Sequence, residues 1–86
     1  MQAKFEYTIT DPSGLHARPT GLIVSRVQSF PCEVSITCNG KSASLKKLLA
    51  VMGLGIRCGD TVTVTLEGDE AAERAAELKK FFEENF

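Results

Sequence analysis

No stretch of the chain approaches the roughly 18 consecutive apolar residues that a membrane-spanning helix needs. The amino terminus opens on a strand-like alternation rather than on a signal peptide, so a cytoplasmic protein is the expectation. A surplus of one charge is also missing. Ten Lys and Arg against eleven Asp and Glu leave a formal net charge of -1. That is too near neutrality to draw nucleic acid or anionic lipid from a distance, so basic residues must act locally and the expected partner is protein. Internal repeats, low-complexity tracts and charge runs are absent. An apolar fraction of 43% and a charged fraction of 24% are those of an ordinary globular chain and exclude disorder. Residues 1–86 are enough for one domain whose core needs no metal or disulfide staple.

Cysteine is sparse and odd in number. Cys32, Cys38 and Cys58 match no metal-ligand spacing and suit a reducing compartment. On a strand over 32–38 the first two share a face but lie roughly 20 Å apart, beyond disulfide reach, and they read as small buried hydrophobes. Histidine is scarcer still, with His16 alone. One histidine without nearby cysteine or carboxylate partners cannot assemble a zinc site. No serine or cysteine is patterned with it and an acid as a hydrolytic triad would require. Neither a metal nor a cofactor is expected.

What is present is regular alternation. Ala3, Phe5, Tyr7 and Ile9 oppose Lys4, Glu6 and Thr8, which predicts a half-buried strand. Asp11-Pro12-Ser13-Gly14 is turn chemistry, and a helix is predicted to begin near His16, with Pro19 tolerated in its first turn. Ile23, Val24, Val27 and Phe30 follow at core-facing helical spacing until Pro31. Cys32, Val34, Ile36 and Cys38 alternate with Glu33, Ser35 and Thr37 and run into Asn39-Gly40, a hairpin signal, with Lys41 to Ser44 as the return strand. Leu45 to Met52 reads as two helical turns ended by Gly53 and Gly55. Val62, Val64 and Leu66 point inward from a last strand. Gly68-Asp69 is expected to cap a final helix with an apolar stripe of Ala71, Ala75, Leu78 and Phe82.

Every strand has one apolar and one polar face, so helices can cover only one side of the sheet. The predicted fold is an open-faced βαββαβα sandwich, a four-stranded antiparallel sheet with three helices on one face. A strand–helix–strand start with only four strands suggests split crossovers, with the last strand inserted between the first two.

A lone histidine is more often structural than functional. His16, however, follows the Ser13-Gly14 turn at an exposed helix start, where packing gives it no task. At the N-cap its imidazole Nδ1 takes the place of an aspartate oxygen that would accept the first helical N–H bonds. A phosphoryl group on Nδ1 would point into the amides of Ala17 and Arg18 at the positive end of the helix, where the Arg18 guanidinium can add charge-assisted bonds. Its far nitrogen is free to be held by a carbonyl. Arg18 alone could be a solvated surface residue and Pro19 mere helix punctuation; beside His16 the three read as one phosphate site.

The string Ser13-Gly14-Leu15-His16-Ala17-Arg18-Pro19 resembles the active-site signature of HPr, the histidine-containing phosphocarrier family of the bacterial phosphoenolpyruvate-dependent sugar phosphotransferase system. Asn39-Gly40-Lys41, Ser44-Leu45-Lys46, Val51-Met52, Leu54-Gly55-Ile56 and Glu67-Gly68-Asp69 are similar to family segments in the same order, so the resemblance covers nearly the whole chain. It implies that His16 accepts a phosphoryl group at Nδ1 from phosphorylated enzyme I and passes it to sugar-specific IIA components. Ser13, Ala17 and Arg18 are the implied phosphate-binding residues. Ala17, Leu48, Leu49 and Met52 are the implied apolar docking contacts; about half of these leucines are expected to serve the sheet instead. The resemblance also implies a monomer. Lys47 stands where many members carry a regulatory serine, so no regulation is expected there. Thr20 and Gly21 depart from the alanine-rich usage that follows the proline, and Gly21 should loosen that helix by about 1 kcal/mol relative to alanine.

The competing class is a regulatory docking module that keeps the fold and drops the chemistry, using the Leu48 to Met52 surface. An intact His16-Ala17-Arg18-Pro19 argues against it. An RNA-binding sheet of similar element order is disfavoured, because the outward face is threonine and charge, and Lys41 to Ser44 has no aromatic to stack a base.

Overall fold

The alternation at the amino terminus forms strand β1, Gln2–Thr8, half-buried on the side of Ala3, Phe5 and Tyr7. The structure, a computed structural model, describes all residues from Met1 to Phe86. Helix α1, Ala17–Val27, buries Ile23, Val24 and Val27. It stops earlier than Pro31 alone would require. Ser29 and Phe30 donate their N–H groups three residues back, to Arg26 and Val27, which tightens the last turn and still carries Phe30 into the core.

Strand β2, Cys32–Cys38, and strand β3, Lys41–Ser44, form the predicted hairpin. Asn39 and Gly40 both take positive φ, 53° and 79°, as a tight hairpin turn demands. Cys32 and Cys38 are buried and unbonded, whereas Cys58 is exposed. Strand β4, Thr61–Gly68, pairs antiparallel with both β1 and β2. The sheet order is therefore β1-β4-β2-β3, with the last strand between the first two. Its inward residues Val62, Val64 and Leu66 are wholly buried.

Helix α2 is shorter than predicted, Leu48–Met52, five residues. Residues 45–47 are diverted into a turn by bonds a helix could not keep. Leu45 is fully buried and donates its N–H to Val34 O at 2.8 Å. Lys46 donates its N–H to Ser44 Oγ at 3.2 Å, and Gln28 Nε2 bonds Lys46 O at 2.6 Å. Helix α3, Ala71–Asn85, starts differently too. Asp69 does not cap it. Its N-cap is Glu70, in the left-handed region at φ 60°, with no side-chain capping bond to the backbone of the first turn.

One core gathers the inward faces of the sheet and helices, and Phe81 and Phe86 join it beyond the predicted stripe. Phe82 sits edge-on to both Phe5 and Tyr7, 5.8 Å between ring centroids in each case, and binds α3 to the edge strand. The polar face of the sheet is laced by hydroxyl pairs such as Thr37–Ser42 at 2.7 Å. The architecture is the open-faced sandwich expected from the two-faced strands. No helix is long and apolar enough to cross a membrane.

Candidate functional site

The loop from Thr10 to Leu15 carries the chain from β1 to α1 and is held at three points. Asp11 builds the turn: its Oδ1 accepts the Ser13 N–H at 2.8 Å and its main-chain oxygen accepts the Gly14 N–H at 2.8 Å. Gly14, at φ +65°, then passes so close to the neighbouring loop that a Cβ would lie 2.6 Å from Ile56 O. Only glycine allows that approach, and it lets the Leu15 N–H reach Ile56 O at 3.2 Å while the Leu15 side chain is buried. At the other end the main-chain oxygen of Phe86 accepts the Thr10 and Asp11 N–H groups and the Thr10 hydroxyl.

These anchors deliver His16 to the N-cap of α1 in extended conformation, φ -85° and ψ 164°. The imidazole makes no capping bond to the first turn. The N–H groups of Ala17 and Arg18 have no partner within the chain, and Pro19 has no N–H to offer. Thr20, fully buried, pins the backbone of His16 from the opposite side: its N–H and its hydroxyl both donate to His16 O, at 3.2 and 2.7 Å. The departure from alanine at this position thus has a structural reason that helix propensity does not reveal.

The ring has a carboxylate neighbour at its far nitrogen. His16 Nε2 lies 3.4 Å from Asp11 Oδ2, a carboxylate where a carbonyl was expected. The ring also meets Phe86 edge-on, with centroids 6.2 Å apart. His16 and Asp11 keep 39% and 31% of their side-chain surface, so the pair is open to solvent on one side. Asp11, His16, Arg18, Pro19, Leu22, Glu84 and Asn85 line a shallow cleft of about 310 Å³. Arg18 is exposed and makes no ion pair, which leaves its guanidinium available to an anion.

Ser13 and Ala17 are exposed beside this cleft but do not line it. Leu48, Leu49 and Met52 lie outside it on α2, which packs against α1 and β3. None of the three is buried in the core, so the expectation that half of them serve the sheet does not hold. Val51 takes the single core position of that short helix, and Leu49 remains 86% exposed. Asp11 and Phe86 are the contacts that sequence reasoning missed. Asp11 reads as a turn residue and is one, and nothing in the sequence brings residue 86 to residue 16. Leu22, Glu84 and Asn85 were missed for the same reason, since only the meeting of α1 with the end of α3 places them together.

Fold and site together define a class: small open-faced sandwiches that present one solvent-reachable histidine at a helix N-terminus, with free amides and an arginine beside it. A family profile described as PTS HPr component phosphorylation site matches residues 3–84. The chain belongs to the HPr family and is a phosphocarrier of the phosphotransferase system. It is 34% identical to the phosphocarrier protein HPr of Mycoplasma genitalium over 83 residues, covering 95% of this chain and 94% of that one. It is 40% identical to the phosphocarrier protein HPr of Vibrio cholerae over 70 residues, 81% and 82% of the two chains. Among solved structures, a Mycoplasma histidine-containing phosphocarrier protein superposes with a TM-score of 0.88 at 33% identity, covering 92% of this chain and 90% of the other. Phosphocarrier protein HPr from Bacillus anthracis superposes at 0.85 with 29% identity, covering 93% and 95%.

Proposed function

We propose that His16 Nδ1 is the phosphoryl acceptor, that phosphorylated enzyme I is the donor and that sugar-specific IIA proteins or domains are the recipients. The observation that carries this reading is the position of His16. It stands at the N-cap of α1 with its side chain free of any capping bond, next to two unpartnered amides. In the forward step the Nδ1 lone pair attacks phosphorus as the donor's bond to phosphorus breaks, and the bonding electrons leave with the donor. The Ala17 and Arg18 N–H groups, the helix dipole and the Arg18 guanidinium then face the dianion, with Ser13 at the rim. The ring and Arg18 stay open to solvent, as a carrier needs; a closed pocket would hold the group too tightly to pass it on.

Ala17, Leu48, Leu49 and Met52 form the proposed docking face for both partners. The 86% exposure of Leu49 supports this, because a leucine that packs against nothing in its own chain is available to another. With Lys47 at the N-cap of α2 and no serine there, α2 offers no hydroxyl for regulatory phosphorylation. We place the carrier in the cytoplasm as a monomer, without metal or cofactor. Phosphorus and imidazole-nitrogen NMR after incubation with phosphoenolpyruvate and enzyme I tests the acceptor. An acid-labile group on Nδ1, lost in His16→Ala, is the expected result. A folded, unphosphorylated native chain would instead favour a docking module.

A further inference from the structure

We propose that Asp11 is a positioning residue for the transfer: its carboxylate keeps the imidazole proton on Nε2, so that Nδ1 presents a lone pair, and it balances the charge the ring acquires when Nδ1 is phosphorylated. This rests on the reading of His16 as acceptor. The two oxygens of Asp11 divide the work. Oδ1 accepts the Ser13 N–H at 2.8 Å and holds the turn, which leaves Oδ2 free to lie 3.4 Å from His16 Nε2, at ion-pair distance. An ionised carboxylate can only accept, so the nitrogen facing it is favoured as N–H and the other as the lone pair. The Asp11 backbone cannot drift away from the ring, because Phe86 O holds its N–H at 2.8 Å while the Phe86 ring meets the imidazole edge-on.

The proton balance makes the carboxylate most effective in the phosphorylated state. A neutral ring carrying its proton on Nε2 attacks through Nδ1. The P–N bond forms as the donor's bond breaks, and the ring keeps the Nε2 proton and becomes cationic. Onward transfer breaks the P–N bond, returns the electron pair to Nδ1 and makes the ring neutral again. Asp11 thus faces the positive charge that phosphorylation places on the ring. The other charged groups at the cleft, Arg18 and Glu84, belong to α1 and α3; neither makes an ion pair with the imidazole. Both partners of the Asp11–His16 pair are partly exposed, so the effect is modest.

Asp11→Asn separates the two tasks. Its Oδ1 can still accept the Ser13 N–H, and its amide nitrogen then falls where Oδ2 was and offers Nε2 a donor. That favours the proton on Nδ1, the tautomer that cannot attack, just as an Asp-to-Asn change beside a catalytic histidine does in serine proteases. Imidazole-nitrogen NMR of the unphosphorylated chains reads the tautomer directly. The expected result is an Nε2–H ring in the native chain, a shift toward Nδ1–H in Asp11→Asn with the amide spectrum otherwise retained, and phosphorylation by enzyme I slowed about fivefold, the scale of a partly exposed charge pair. The same tautomer in both chains, or a native ring protonated on Nδ1, overturns the proposal. If the native chain accepts no phosphoryl group while the tautomer shifts as expected, the positioning by Asp11 stands and the carrier role of His16 falls. Asp11→Ala, which removes the turn bond as well, should disturb the Ser13 and Gly14 amides; a tautomer shift there but not in Asp11→Asn would assign the effect to the turn and overturn the proposal.

Discussion

Single residues hold the site loop in ways that depend on one atom each. Gly14 is required by the 2.6 Å that would separate a Cβ from Ile56 O, and Thr20 by a hydroxyl that reaches His16 O. The cysteines show how burial alone sets chemistry at this scale. Desolvation pushes the Cys32 and Cys38 thiols above their ordinary value of 9.0. Lys46 and Arg74 counter it in part at Cys32, and Asp60 adds to it at Cys38. Both therefore stay protonated and shielded at neutral pH, while Cys58 is exposed. Native protein treated with iodoacetamide at pH ~7.5, below an ordinary thiol's range, should be alkylated at Cys58 alone, and at all three positions in denaturant, as read by mass spectrometry. The sign follows from linkage. Raising the pH past 9.0 ionises the thiols of the unfolded chain first, so their contribution to stability is present below that value and is lost above it.

At the scale of elements, α2 sets a core position and the proposed docking face within five residues of each other. Val51 is 1% exposed and Leu49 is 86% exposed, on opposite sides of little more than one turn. Val51→Ala should cost about 2 kcal/mol in urea denaturation, since it removes the only buried side chain of the helix. Leu49→Ala should leave the urea midpoint within about 0.5 kcal/mol of native while slowing transfer to and from protein partners. Equal loss of stability in both variants would show that the helix is not divided this way. Periodicity predicted a helix here and placed its end well, but not its start. Leu45 has the composition of a helix and the burial of a core anchor, and its bond to Val34 O decides in favour of the core. The left-handed start of α3 at Glu70 escaped for a similar reason: Gly68-Asp69 looks like a cap, and the chain instead makes its turn one residue later.

For the whole molecule, the inserted β4 forces the ends of the chain together. The first strand pairs with the last, and α3 lies across β1, so the fold is closed by contacts distant in sequence. Phe82 is the residue on which this closure turns, buried completely and touching Phe5, Tyr7 and Phe86. Phe82→Ala should cost about 3–5 kcal/mol. A domain of 86 residues has roughly 4–13 kcal/mol in total. Chemical denaturation should therefore show that a large share of the stability is lost.

Much of this could be read before any coordinates, because alternation with period two and recurrence near 3.6 are written into the order of side chains. Ala3 to Ile9, Cys32 to Cys38 and Val62 to Leu66 each state a strand and its buried face, and a turn followed by His16-Ala17-Arg18-Pro19 states a histidine at a helix start. Two-faced strands imply helices on one side only, and so the open-faced sandwich. Tertiary structure alone decided which groups meet the imidazole. Asp11 comes from a turn and Phe86 from the end of α3, and their convergence depends on Gly14 resting against Ile56 and on Phe86 O holding the loop. Local patterns encode what a segment becomes, because backbone geometry is local; a site is made of distances between segments, and those are set by how the core packs.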